Sequence, residues 1–321
     1  MAGFVNRSTV AGLVLVTNML GVLLYRASAK DALSVTPKAG FMLRRHFLPV
    51  LCAAAARAQD RLSAYMEGAH GTALAIDATS RRTLAVYAPE IAGRVPAPPG
   101  STVKPFAIAA LIETGRLRAG EQYRCPLQLE IEGRNLTCSH PADIGPVDAR
   151  TAIAYSCNCF VARAAMRFER GEVERAFGRY GLLSRTAWVE DEIAGATSHA
   201  DARLMALGEA GVLVTPAAVA MAYTRLATTG MRAWMAPVMG GLEDAVEFGT
   251  AQRARVAGLR VAGKTGSVRA ADGAHIAWFA GFAPADRPKY VVAVMLQGRS
   301  GGGDAAPLAG RILEAAWRER W

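Results

Sequence analysis

Segments with strand character sit at the two ends of one long uninterrupted stretch of this chain, and that placement limits the fold more than any other feature. Near its start, residues 72–76 and 83–86 form strand-like runs around a polar turn at 77–82, the pattern of a hairpin. Near its end, residues 255–263, 277–282 and 290–296 read as strands, the last two joined across a turn between Pro284 and Pro288. What lies between is helical in pattern. Residues 101–114 form a helix closed by Gly115, residues 148–168 a second with Asp148 as its N-cap, and Thr215-Pro216 opens a third that runs to Gly230. Residues 305–320 make a closing helix. Strands from both ends share one sheet only if the chain returns on itself. The pattern therefore predicts an α+β fold: an antiparallel sheet of N- and C-terminal strands covered by helices, with a helical subdomain between them. No linker or repeat divides residues 59–321, which are expected to form one domain.

Composition excludes several classes. With 52% hydrophobic and 20% charged residues the chain is neither disordered nor collagen-like nor a heptad repeat. Its formal charge of +10 favours anionic surroundings such as a membrane surface or a cell wall. Nucleic acid is not expected, because the basic residues are scattered and form no stripe interleaved with aromatics. Lysine occurs only at Lys30, Lys38, Lys104, Lys264 and Lys289, and arginine supplies the rest of the positive charge. Arginine cannot lose its proton in a protein, so the few lysines mark positions where an amine itself has a use. Drift in codon usage explains the same counts.

Residues 1–58 read as a targeting region. Residues 10–25 are largely apolar, follow Arg7, and have the character of an export signal or a single membrane anchor. A second signal is spelled out at 42–58: a basic start at Arg44-Arg45, an apolar segment, and an A-x-A cleavage site at Ala56-Arg57-Ala58. Met42 is then expected to be the true start, the alternative being a real anchor at 10–25. Either way the body of the protein is expected to be exported, periplasmic or anchored in the inner membrane facing the periplasm.

Three short motifs carry chemistry. Ser101-Thr102-Val103-Lys104 follows a stiff Pro-Pro-Gly loop, and the i, i+3 spacing puts hydroxyl and amine on one helical face. A serine hydroxyl becomes a nucleophile when a base removes its proton, and a lysine serves as that base once its pKa is lowered toward 7–8. Alone, this spacing is a weak signal, and Ser101 reads as a plain N-cap. Ser156-Cys157-Asn158 offers a second hydroxyl and an amide on the second helix. Lys264-Thr265-Gly266-Ser267 follows a strand, and its small Gly266 would let a substrate backbone approach the strand edge. Order and spacing match the S-x-x-K, S-x-N, K-T-G set of active-site serine enzymes.

From about Gly71 to Leu296 the chain resembles the transpeptidase domain of penicillin-binding proteins, of the serine β-lactamase/transpeptidase-like fold. The resemblance lies in Pro99-Gly100-Ser101-Thr102-Val103-Lys104-Pro105-Phe106, Tyr155 to Phe160, Val214-Thr215-Pro216, Gly263 to Gly266, and Trp278-Phe279-Ala280-Gly281-Phe282-Ala283-Pro284. It implies that Ser101 is the acylated nucleophile, Lys104 its base and Ser156 the proton relay to the leaving amine. It further implies that Asn158 holds the substrate amide, that Lys264 and Thr265 contact the terminal carboxylate, and that the N–H groups of Ser101 and Ser267 form the oxyanion hole. The implied enzyme is a serine acyltransferase, a D,D-transpeptidase or D,D-carboxypeptidase that acts on D-Ala-D-Ala stem peptides of peptidoglycan and binds β-lactams covalently. A membrane glycosyltransferase or a divisome or elongasome protein would be its partner, and no cofactor is required. The alternatives are a β-lactamase or β-lactam sensor of the same fold, and an inactive wall-binding domain. Glu209 and Ala210 stand where the family often has Gln-Gly.

The cysteines say more than these roles require. In an oxidising compartment Cys125 and Cys138 are expected to pair as a disulfide, the alternative being free thiols. Yet His140 lies two residues after Cys138, and Cys157 is the middle residue of the second motif, so Cys125, Cys138, His140 and Cys157 also suit a structural zinc site of Cys₃His type. Cys159 is expected to point elsewhere as a buried apolar filler.

Overall fold

The structure is a computed structural model and describes residues 7–10, 13–18, 21–26, 61–229, 232–270 and 272–321. The chain divides into two units, Met1–Leu51 and Cys52–Trp321. In the first, β1 (Arg7–Val10), β2 (Leu13–Asn18) and β3 (Gly21–Arg26) form an antiparallel sheet in that order. The signal or anchor expected at 10–25 falls on this sheet, and the second candidate signal at 42–58 lies outside the described residues. Among the described residues no helix is long and apolar enough to cross a membrane.

The second unit is built on the sheet expected from the two chain ends. Its strands are β4 (Gly71–Asp77) and β5 (Thr83–Tyr87), the small hairpin of β6 (Gln128–Ile131) and β7 (Arg134–Thr137), the two-residue β8 (Ala196–Thr197) and β9 (Val212–Leu213), and β10 (Ala262–Arg269), β11 (His275–Ala283) and β12 (Tyr290–Gln297). The main sheet runs β10-β11-β12-β4-β5 and every neighbour is antiparallel. The β4–β5 turn closes because the Asp77 carboxylate accepts the N–H groups of Thr79 (3.0 Å) and Ser80 (2.6 Å).

Both faces of this sheet are covered, which explains why Tyr290–Gln297 reads as a continuous apolar run rather than an alternating one. Leu74, Ile76, Val291, Ala293 and Met295 face one apolar cluster together with Phe106 and Tyr223. Ala73, Ala75, Val292 and Val294 face a second cluster, roofed by Ile312 and Leu313 of the C-terminal helix. Each large side chain buried this way stabilises the fold by about 1.5–3 kcal/mol.

The helices, in chain order, are α1 (Pro89–Arg94), α2 (Lys104–Glu113), α3 (Ala149–Ala154), α4 (Asn158–Ala165), α5 (Glu172–Tyr180), α6 (Ala202–Leu207), α7 (Pro216–Thr229), α8 (Ala236–Glu247) and α9 (Ala306–Glu319). Three expectations are corrected here. The helix expected over 148–168 is two helices. Asp148 does cap the first, accepting from the Thr151 N–H at 2.8 Å, but Ser156 adopts a left-handed φ of 59° that ends it. Cys157 then caps α4 by accepting from the Phe160 N–H. Second, the helix expected from Ser101 opens as a 3-10 turn, Gly100–Val103, and becomes α-helical at Lys104. Third, the strand expected over 255–263 begins only at Ala262, because Gly258 (φ 74°) folds Val256 and Leu259 into a tight bridge. The Lys264-Thr265-Gly266-Ser267 segment therefore lies inside a strand rather than after one.

Candidate active site

Ser101 sits at the start of the 3-10 turn because the surrounding backbone is fixed from several sides. Trp278 Nε1 donates to Pro98 O (3.0 Å), Tyr223 Oη to Thr102 O (2.9 Å), and Thr102 Oγ1 to Pro99 O (2.7 Å). Gly266 is explained by the same packing. A Cβ there would stand 2.7 Å from Pro99 O and 3.0 Å from Thr102 Cγ2, so the glycine admits the segment around Ser101 against β10. Ser101 opens into a cavity of about 450 Å³ whose walls include Ser156, Asn158, Glu209, Thr250, Thr265 and Ser267.

Beneath this cavity lies Lys104, fully buried. Its Nζ donates to Ser156 O (2.8 Å), Ser156 Oγ (3.1 Å) and Asn158 Oδ1, using all three donors of an ammonium. Burial brings its pKa from 10.5 to about 8, against the opposing pull of Cys157, Cys138 and Glu209. At neutral pH roughly a tenth of such a group is the free amine. The left-handed turn at Ser156 makes this network possible, since it aims both the carbonyl and the hydroxyl of one residue at the same amine. Asn158 is held in turn by Nδ2 donating to Thr137 O (2.7 Å). Ser101 Oγ is not among the partners of Lys104.

Lys264 is also fully buried, and burial together with the nearby Lys104 lowers its pKa well below 10.5. It donates to Thr265 O (3.1 Å) and Thr250 Oγ1 (3.4 Å), while Thr265 Oγ1 donates to Thr250 Oγ1 (2.9 Å). Lys264 thus lies behind Thr265 rather than at the cavity surface. Ser267 lines the cavity and its Oγ accepts the Gly301 N–H at 2.9 Å.

Sequence reasoning missed Thr250, which holds Lys264 and Thr265 in place from 14 and 15 positions upstream. The preceding Gly249 is the available signal. A Cβ there would stand 2.1 Å from Ala154 O, so the glycine lets Thr250 come close to the end of α3. Glu209 was visible only as a departure from a pattern.

The thiols form a separate cluster beside the second motif. Cys125, Cys138, Cys157 and Cys159 are all unpaired, and the Cys125 and Cys138 sulfurs stand 3.7 Å apart, far beyond the roughly 2.05 Å of a disulfide. One ligand atom from each of Cys125, Cys138, His140 and Cys157 lies within 4.8 Å of the others. Cys159 departs from expectation: its sulfur is 3.6 Å from that of Cys138, inside the cluster. His140 Nδ1 lies 2.9 Å from Pro141 O, and since a carbonyl only accepts, that nitrogen carries the proton. Its Nε2 is buried with no hydrogen-bond partner. The Asn158 N–H donates to Cys138 Sγ at 3.2 Å, tying the cluster to the hydrogen bonds around Lys104.

An antiparallel sheet covered by helices, with Ser101 opening on a cavity above a buried, pKa-lowered lysine, is the arrangement expected of the penicillin-recognising class of proteins. Residues 71–239 and 235–314 match the model of the penicillin-binding protein transpeptidase domain, and the chain belongs to that family. It is 25% identical over 271 residues to peptidoglycan D,D-transpeptidase PbpA of Mycolicibacterium smegmatis, covering 69% of this chain and 55% of that protein. It is 26% identical over 266 residues to stage V sporulation protein D of Bacillus subtilis, covering 67% and 41%. The chain thus spans about half the length of the curated relatives it matches. Among solved structures, a peptidoglycan glycosyltransferase from Burkholderia ambifaria superposes with a TM-score of 0.73 at 23% identity, covering 84% of this chain and 96% of that one. Pseudomonas aeruginosa PBP2 in complex with WCK 5153 gives 0.71 at 21% identity, covering 82% and 74%.

Proposed function

We propose that the chain is a peptidoglycan D,D-transpeptidase acting outside the cytoplasm on stem peptides that end in D-Ala-D-Ala. The observation that carries this reading is the buried Lys104 amine bonded to Ser156 and Asn158 beneath a cavity that opens on Ser101. Ser101 Oγ attacks the carbonyl between the two D-alanines as its proton passes to the neutral Lys104 amine. The proton then travels through Ser156 Oγ to the nitrogen of the departing D-alanine, and the C–N bond breaks to leave the acyl-enzyme. The N–H groups of Ser101 and Ser267 receive the developing oxyanion, where one such donor contributes about 10²–10³ in rate. Asn158 orients the substrate amide, and Thr265, backed by Lys264 and Gly266, receives the terminal carboxylate. Incubation with a fluorescent penicillin tests the reading. Stable label that disappears in Ser101→Ala supports it, rapid turnover of the label means a β-lactamase, and no label means a binding domain.

The thiol cluster fits zinc in the same reading. Three sulfurs and a buried imidazole nitrogen without a hydrogen-bond partner are the donors such an ion takes, at about 2.3 Å for sulfur and 2.0–2.1 Å for nitrogen. The ion would brace the Ser156-Cys157-Asn158 turn and take no part in the acyl transfer. Metal analysis of purified protein checks it: about one zinc per chain, lost in Cys138→Ser, is expected. A metal-free protein of unchanged thermal stability in chelator excludes it.

A further inference from the structure

Glu209 puts a carboxyl group on the wall of the catalytic cavity and gives it no partner. Its backbone is fully engaged: the N–H donates to Leu204 O (2.9 Å) and the carbonyl accepts from Arg134 Nη1 (3.3 Å). The preceding Gly208 has φ 72°, and a Cβ on it would stand 2.1 Å from Gly100 O. The Gly100 N–H meanwhile donates to Gly208 O at 3.1 Å. Residue 209 is therefore clamped onto the segment that carries Ser101. Its side chain, by contrast, makes no hydrogen bond and no ion pair among the described residues, although it lines the same cavity as Ser101, Ser156 and Thr265.

The charges that bear on this carboxyl are those of Lys104 and Arg134, and burial raises its pKa from the ordinary value. The charge that bears on Lys264 is that of Lys104. The cavity wall thus carries the Glu209 carboxyl beside the hydroxyls of Ser101, Ser156 and Thr265, while Lys264 lies buried behind Thr265. Transpeptidation brings in two partners of opposite character: a donor peptide that ends in a carboxylate, and an acceptor that offers a primary amine, an ammonium in neutral solution. An anionic group beside Ser101 repels the first and attracts the second.

Resting on the transpeptidase reading above, we propose that Glu209 recognises the acceptor, holding the incoming ammonium beside the acyl-enzyme and taking a proton from it. In that step the ammonium nitrogen loses two protons. One passes to the Glu209 carboxylate, which frees the nitrogen lone pair to attack the ester carbonyl. As the C–N bond forms and the C–O bond to Ser101 breaks, the second proton restores the Ser101 hydroxyl. The products are the amide, neutral Ser101 and protonated Glu209, which then returns its proton to solvent. Water needs no such charge to enter, so the carboxylate tilts the acyl-enzyme toward aminolysis over hydrolysis.

The partition of the acyl-enzyme tests this. A thioester analogue of an acyl-D-alanine donor is turned over in the presence of Nα-acetyl-lysine, a cationic acceptor, or hydroxylamine, which is uncharged at neutral pH, and amide and acid products are counted. The ratio refers only to molecules that have been acylated, so a partly unfolded variant does not distort it. In Glu209→Gln the aminolysis-to-hydrolysis ratio with Nα-acetyl-lysine is expected to fall about tenfold, the loss of a charge-assisted hydrogen bond, with the ratio for hydroxylamine falling far less. Glu209→Asp should recover part of the difference between the two acceptors. Equal falls for both acceptors, or no fall for either, overturn the proposal. A wild-type protein that neither turns over the thioester nor takes penicillin overturns the transpeptidase reading itself, a result distinct from an altered partition.

Discussion

Lys104 is the residue on which the proposed chemistry turns, because complete burial brings its pKa down to about 8. In the proposed mechanism the working form is the neutral amine. Acylation by penicillin is therefore expected to rise about tenfold per pH unit below 8 and to level off above it, as a stopped-flow pH profile would show. Lys104→Arg should be nearly as damaging as Lys104→Ala, since a guanidinium keeps the charge but accepts no proton. Acylation of Lys104→Arg at close to the wild-type rate would move the base elsewhere. Thr250→Val keeps the shape of the side chain and removes the hydroxyl that joins Lys264 to Thr265. It should weaken acylation by about tenfold without loss of fold, and an unchanged rate would leave Thr250 a packing residue. The two residues also differ in legibility. Lys104 was readable because it completes a short motif with Ser101 three positions earlier in the chain, whereas Thr250 has its place only through contacts that the folded chain creates.

Elements were legible where a single periodicity ran through them, and less so where function bends the backbone. The hairpin of β4 and β5 and the pair β11 and β12 follow their apolar patterns to within a residue or two. The helical reading of 148–168 failed at Ser156 because its neighbours keep a helical pattern while tertiary contacts to Lys104 hold this one residue left-handed. The strand holding Lys264 was misplaced because Gly258 inserts a turn that apolar pattern alone does not reveal. At Gly208 the joint between α6 and the nucleophile turn has no spare room, so Gly208→Ala meets both a left-handed φ and the Gly100 carbonyl. The variant is expected to lose about 1–3 kcal/mol of stability and most of its penicillin labelling, measured by thermal unfolding and gel fluorescence. Full labelling in that variant would show that the contact between the two turns does not set the position of Ser101.

At the scale of the whole molecule, the sheet joins β4 from the early chain to β12 from the late chain and so brings Ser101 and Thr265 to one cavity. That much followed from strands at both ends of the sequence. The number of buried charges did not, because an isolated lysine in a sequence gives no sign of its depth. Two fully buried lysines close to each other make folding stability depend on pH. For Lys104 the folded pKa is depressed to about 8 while the unfolded chain keeps 10.5, so between these values the unfolded state binds more protons and stability rises with pH. Below 8 both states carry the proton and the full cost of burying the cation is present, about 3 kcal/mol at 1.36 per unit. Ionisation of thiols and tyrosines also acts in this window, so the lysine contribution is read as a difference between wild type and Lys104→Met. From pH 8 to 10 wild type is expected to gain on the variant by up to about 1.4 kcal/mol per pH unit, and below 8 the difference should be flat. Denaturant unfolding at half-unit pH steps measures it. A difference that stays flat through pH 10 would mean that Lys104 keeps its ordinary pKa, and the base assigned to Ser101 would then be charged at every pH at which the protein works.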